Sequence, residues 1–174
     1  MRSPADMDAT DWSSLLSQHN RLLQVQTALP DALVVERWEG LEAINEELAF
    51  TLDCISPCAV LDLAGLPGTA LCLQLSQLDG QSRSWQGTVI SAEQHGSDGG
   101  IARYRLRIGT WLSLLKPRRN TRIFQDLDAL EIVTRIFADY PRAQWEARVT
   151  QLLPRRALCT QYRETDYELS LIHI

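Results

Sequence analysis

From Ile101 to Ile108 the chain reads IARYRLRI, with basic and apolar residues alternating from Arg103 onward. Side chains on an extended strand point to opposite faces in turn. The pattern therefore sets Tyr104, Leu106 and Ile108 on one face and Arg103, Arg105 and Arg107 on the other. A helix would scatter the same residues around its circumference. Such a strand has one face to bury and one to solvate, and it needs neighbours of the same kind. Glu47–Ile55 (ELAFTLDCI) sets Leu48, Phe50 and Leu52 opposite Thr51 and Asp53, and Thr69–Gln77 gathers Leu71, Leu73 and Leu75. Arg21–Ala28 and Ser84–Glu93 read as further strands, with turns at Asp79-Gly80 and at Gly96–Gly100. Short turns imply antiparallel pairing, and this number of strands implies a barrel or sandwich. The fold class expected is mainly β, an antiparallel barrel-like domain.

Helical spacing appears at two places. Leu127, Leu130, Val133, Ile136, Phe137 and Tyr140 predict a helix that docks on the sheet, with Asp126 as its cap, Asp128 and Glu131 near its positive end, and Pro141 as its stop. A short helix is expected at Asp11–His19, with Trp12, Leu15 and Leu16 on one side. Two more strands are expected at Gln144–Val149 and Ala157–Tyr162, and helix-start residues follow Glu164 with little chain left to extend them.

The 174 residues, 45% hydrophobic and 22% charged, suffice for one sizeable core without a metal or disulfide staple. Three aspartates and no apolar run in residues 1–20 make that stretch an N-terminal extension rather than a secretory leader. The net charge of -5 disfavours generic nucleic-acid binding, yet the basic set is 16 Arg and one Lys, a composition suited to planar or half-buried contacts. Asp31–Asp62 holds eight acidic residues and one Arg, whereas Gly99–Gln125 holds seven basic residues and no acidic one. The blocks can pair across strands, between copies, or with a partner. Arg103, Arg105 and Arg107 are the candidate assembly residues.

No catalytic, metal or cofactor motif emerges. Cys54 and Cys58 are four apart with no second paired spacing to complete a zinc site, so the four cysteines read as reduced, buried strand residues. His95, Ser97 and Asp98 sit in HGSDGG, which reads as a hairpin turn rather than a triad or a phosphate loop. A single-strand nucleic-acid groove would set aromatic rings beside the arginines, but Tyr104 faces the other way.

Several dispersed segments carry a family likeness. RLLQVQTAL, LVVERWEGLEAINEELAFTLDCIS, SRSWQGTVISAEQHGSDGGIARYRLRIGTWLSLLKPRRNTRIFQDLDALEIV and ALCTQYRETDYE resemble, in order, the N-terminal part of VgrG, the Rhs-element Vgr tip proteins of bacterial type VI secretion. The resemblance spans residues 21–168. It implies a non-enzymatic hub built from tail-tube-like β-barrels, a homotrimer seated on the Hcp tube, and effectors or a PAAR-type tip carried by later regions. It also implies assembly in the bacterial cytoplasm and export through the apparatus, with no cofactor, nucleic acid or membrane contact for this portion. The needle of that family is missing, and residues 169–174 (LSLIHI) read as a translated transposon-end adapter expected to pack poorly. A contractile phage tail hub and a single-strand nucleic-acid-binding barrel are the alternatives.

Overall fold

The computed structural model describes residue 18 and residues 21–29, 32–44 and 46–173. The expected helix at Asp11–His19 lies outside these, apart from Gln18. Within the stretch read as one hub-like domain, the contacts divide the chain into two compact units, Met1–Thr110 and Trp111–Ile174.

The first unit is one antiparallel sheet. Its strands are β1 (Leu23–Gln26), β2 (Val34–Leu41), β3 (Ala49–Ser56), β4 (Ala70–Ser76), β5 (Ser82–Asp98) and β6 (Ile101–Gly109), in the order β1-β4-β5-β6-β3-β2. The two outermost strands, β1 and β2, approach each other, so the sheet curls into a half-barrel. Register between β3 and β6 sets Phe50 opposite Ile108, Leu52 opposite Leu106 and Cys54 opposite Tyr104. All six are buried, with Leu73, Val89 and Ala102 beside them, so the alternation in the sequence becomes the core. The loop after β3 closes over this core through Leu61, Leu63 and Leu66. Tyr104 anchors it by donating its hydroxyl to the Cys58 carbonyl at 2.8 Å, and Gln94 donates to Ala59 at 3.0 Å.

Because neighbouring strands run in opposite directions, β1, β3 and β5 begin, and β2, β4 and β6 end, at one end of the half-barrel. The connections 42–48 and 77–81 both lie there. Glu42 ties the first of them to β5, its Oε2 accepting from Trp85 Nε1 at 3.1 Å and pairing with Arg83. Trp85, Trp38 and Phe50 form an aromatic cluster with centroids 5.0–5.9 Å apart. Gly40, opposite Phe50, makes room for that ring, since a Cβ there would fall 1.8 Å from Phe50 Cδ1.

Three expectations for this unit change. The glycine-rich turn contracts to Gly99-Gly100, whose positive φ values of 58° and 82° suit a two-residue hairpin, and β5 continues through His95 and Ser97 to Asp98. The strand β2 was not legible because a bulge between Val35 and Arg37 breaks its alternation. Of the cysteines, Cys54 is buried and its thiol pushed up to about 12 by desolvation. Cys72 and Cys159 are half-buried, whereas Cys58 is exposed beyond the end of β3, where Ser56 Oγ holds its backbone in a turn.

The second unit pairs β7 (Arg119–Leu127) with β8 (Arg156–Thr165) in a two-stranded ribbon. A 3₁₀ turn, Trp111–Leu115, precedes it, and α1 (Ala129–Phe137) lies between the strands. The strand β7 escaped sequence reading because its apolar residues, Ile123, Phe124 and Leu127, occupy both faces. Asp128, not Asp126, caps α1: it accepts from Glu131 N at 2.8 Å while Glu131 accepts from Asp128 N at 2.9 Å. The D-x-x-E spacing lets both bonds form at once. Asp126 is instead left-handed, with φ 52°, and its carbonyl takes Arg155 Nε at 2.8 Å. The helix buries Ile132, Ile136 and Phe137 against Leu115, Phe124 and Leu127, so it docks on the ribbon as expected. Gln144–Val149 is not a strand. Trp111 Nε1 takes the Gln144 carbonyl at 2.9 Å, and the Trp111 and Trp145 rings meet Phe137 edge-on at 4.8 and 5.3 Å. Side-chain anchoring thus replaces a ladder.

After β8, α2 (Asp166–Glu168) continues as a π turn, Leu169–His173. Leu169 is buried in the second core, which corrects the expectation of poor packing for that residue, while Leu171 and Ile172 are exposed.

Two substitutions test these packing arguments. Gly40→Ala should cost about 1–3 kcal/mol by overpacking Phe50, whereas Gly65→Ala, with nothing within 4 Å of its Cβ, should stay within about 0.5 kcal/mol. Urea unfolding of both variants measures the difference. Equal midpoints would show that Phe50 moves aside freely.

Candidate assembly surface

Register across the sheet builds a charged row on the face opposite the core. Arg37 on β2 lies across from Asp53 on β3, Asp53 across from Arg105 on β6, and Arg105 across from Glu93 on β5. Signs alternate along the row, so each inner member has an opposite charge on either side. The strongest link is Arg105 to Asp53, with Nε–Oδ1 at 2.7 Å and Nη2–Oδ2 at 3.2 Å, a two-point pairing of planar groups. The Arg105 guanidinium holds the Asp53 carboxyl below its usual range.

The three candidate arginines therefore differ. Arg105 is engaged within the sheet. Arg103 is exposed and its Nε is 3.9 Å from Glu36. Arg107 is exposed, lies across from Thr51 and Ser91, and makes no ion pair among the described residues. Pairing between the acidic and basic blocks thus occurs inside the fold for Arg103 and Arg105. A glutamate in place of Arg105 would face both Asp53 and Glu93. No aromatic side chain stands across from Arg103, Arg105 or Arg107 on this face.

A second polar constellation lies in the second unit, and sequence reasoning met it only as the motif QYRETD. Asp166 is fully buried. Its Oδ1 accepts from Asn120 Nδ2 at 2.8 Å and Gln161 Nε2 at 2.7 Å; its Oδ2 accepts from the Tyr140 hydroxyl at 2.7 Å and lies 3.7 Å from Arg118 Nε. Burial and the bond to Asp166 push the Tyr140 hydroxyl well above its usual range. One carboxylate thereby joins the start of β7, the turn after α1, and β8. Thr165 caps the next turn, its Oγ1 accepting from Glu168 N at 3.0 Å while Glu168 accepts from Thr165 N at 2.7 Å. That bond holds the Glu168 carboxyl below its usual range. The constellation ties backbone segments together around a carboxylate that is shut off from solvent. Among the described residues no group of three or more His, Cys, Asp and Glu could hold a metal.

Residues 41–170 match the model of the phage tail baseplate hub (GPD) family. The chain belongs to that family. Its curated relatives include the type VI secretion system spike proteins VgrG1b and VgrG1c of Pseudomonas aeruginosa. They are 32% identical over 154 residues and 31% over 155 residues, each covering 88% of this chain and 21% of the relative. The chain thus spans about a fifth of the length of these relatives. A solved structure, the c3393 protein of Escherichia coli, superposes with a TM-score of 0.67 at 18% identity over 84% of this chain and 41% of that one. Its description makes it a type VI secretion component structurally similar to the T4 bacteriophage tail proteins gp27 and gp5. A chain of the Francisella PdpA–VgrG complex superposes at 0.55, with 12% identity over 88% of this chain and 22% of that chain. The hub-like β fold and the VgrG resemblance read from the sequence both hold. These relatives are spike proteins, and the matching family is that of a baseplate hub.

Two outcomes follow from the geometry. Asp53 has a folded-state pKa below its unfolded value, so its contribution is present above pH ~4 and is lost as pH falls through the lowered value. Asp53→Asn should cost about 1 kcal/mol at pH 7 and progressively less in acid; a penalty that persists unchanged at pH 2 would contradict the pairing. Asp166→Ala strands Asn120, Gln161 and Tyr140 and should cost about 3 kcal/mol or more, read as a lowered Tm.

Proposed function

We propose that the chain is the N-terminal hub portion of a type VI secretion spike, a structural part that trimerises and seats on the Hcp tube. In this reading, regions of a longer protein beyond this chain carry the effectors or a PAAR-type tip. The spike assembles in the bacterial cytoplasm and leaves through the secretion apparatus. The observation that carries the reading is the alignment with VgrG spike proteins along 88% of the chain, within a hub family whose fold the two β units share. Residues 21–168 are the hub-like part.

The family match to a phage baseplate hub favours one other reading, a hub of a contractile phage tail. The two separate on the tube they serve. In the parent bacterium, in-frame deletion of residues 41–170 should abolish export of Hcp; undiminished export would sink the secretion reading and leave the phage one.

The outer face of β6 is assigned to assembly in this reading, with Arg107 as its available cation. Arg107→Glu should keep the circular dichroism spectrum and change stability by less than about 0.5 kcal/mol. It should weaken assembly by about tenfold, because a reversed charge meets a like charge at the contact. Normal Hcp export by the folded variant would leave Arg107 as solvated surface.

A further inference from the structure

The sequence contains two Asp-Gly bonds, Asp79-Gly80 and Asp98-Gly99. Each sets a carboxyl group beside a main-chain nitrogen that can attack it and close a succinimide ring. Glycine favours the attack, since no side chain shields its nitrogen and its backbone reaches the required angles. The fold decides whether the approach is open, and the two turns differ.

Asp79-Gly80 is held at both reacting groups. Gly80 N donates to the Gln77 carbonyl at 3.1 Å, and Asp79 Oδ1 accepts from Gln81 N at 2.9 Å. Both bonds must break before Gly80 N can reach the Asp79 carboxyl carbon. Asp98-Gly99 is held at neither. Asp98 is exposed and closes the β5–β6 ladder opposite Ile101, while Gly99 lies in the turn, outside the ladder. Among the described residues, no hydrogen bond engages the Asp98 carboxylate or the Gly99 amide. The tip is also thinly supported. Pairing of β3 with β6 stops at Ser56–Ala102, so the closing pair stands on β5 and β6 alone, and a register shift between Gln94 and Gly96 interrupts the ladder behind it.

We infer that Asp98-Gly99 is a site of spontaneous main-chain isomerisation, and that Asp79-Gly80 is its protected counterpart. Gly99 N attacks Cγ of the protonated Asp98 carboxyl: the new C–N bond forms, a C–O bond breaks, and the hydroxyl leaves with the amide proton as water. Water then adds to the α-carbonyl of the succinimide and breaks its bond to Gly99 N. The chain now runs through the β-carboxyl, the α-carboxyl has become the side chain, and the composition is that of the starting protein. Nothing is oxidised or reduced. The added main-chain carbon falls beyond the core pairs Cys54–Tyr104 and Leu52–Leu106, so the half-barrel keeps its Tm.

The test ages the folded 174-residue chain in mildly acidic buffer and reads isoaspartate in two ways. One is methyl transfer from S-adenosylmethionine by an isoaspartyl methyltransferase; the other is peptide mapping that locates each altered bond. Isoaspartate should accumulate at Asp98 about fivefold faster than at Asp79. In urea the two rates should converge, because the bonds that restrain Asp79 are gone. Asp98→Asn, which loses ammonia instead of water and suits the same turn, should react about tenfold faster than the parent at neutral pH while keeping its circular dichroism spectrum. A folded chain in which Asp98 stays intact overturns the inference, as does one in which Asp79 isomerises as fast. A contrast that persists undiminished in urea belongs to the local sequence rather than the fold, and overturns it too.

Discussion

The register between β3 and β6 decides which side of the half-barrel is core and which is charged. Eight consecutive pairs, from Ala49–Gly109 to Ser56–Ala102, align two alternating sequences so that Leu52 meets Leu106 while Asp53 meets Arg105. A slip of one residue would send Phe50, Leu52 and Cys54 to the charged face and bring Thr51 and Asp53 into the core. Burial and ion pairing therefore favour the same register. The ion pair adds little energy at a half-exposed site, and its larger effect is against the alternative, in which an unpaired carboxylate would be buried.

The second unit rests on a different kind of interaction. A two-stranded ribbon is marginal in water, so β7 and β8 need more than their own ladder. Packing of α1 supplies the apolar part, and the buried Asp166 carboxylate supplies the polar part by collecting donors from β7, β8 and the turn after α1. Removing an acceptor shared by several buried donors is costly, which is why QYRETD reads as a motif although it performs no chemistry. Its Gln161 and Asp166 are the buried members, Thr165 and Glu168 form a cap, and Arg163 sits in a left-handed turn with φ 52°.

These two devices leave a clear division of surface. The alternating row engages Arg105 and Asp53 inside the sheet, so arginine content alone overstates the charge available to a partner. Arg103 and Arg107 stay exposed on the outer face. A structural part that works by assembly needs rigid surfaces of this kind, since loops held in place lose less freedom on docking.

The sequence by itself determined the strands with one clean alternation, β3, β4 and β6, because a period of two survives without knowledge of neighbours. It also determined the helix at 129–137, since helical spacing and D-x-x-E are local, though Asp128 rather than Asp126 proved to be the cap. Dispersed motifs carried the family. Tertiary structure alone decided the rest. The strand β2 has a bulge that only its partner explains, β7 puts Phe124 and Leu127 into the core while Ile123 stays exposed, and Gln144–Val149 gives up a strand's ladder for anchoring by Trp111 and Trp145. The separate fates of Arg103, Arg105 and Arg107 were likewise invisible, for three residues with the same side chain and spacing differ only in what the neighbouring strands place across from them. Those neighbours are distant in the chain, Asp53 lying 52 positions from Arg105, and long-range pairing of that kind leaves no local signal.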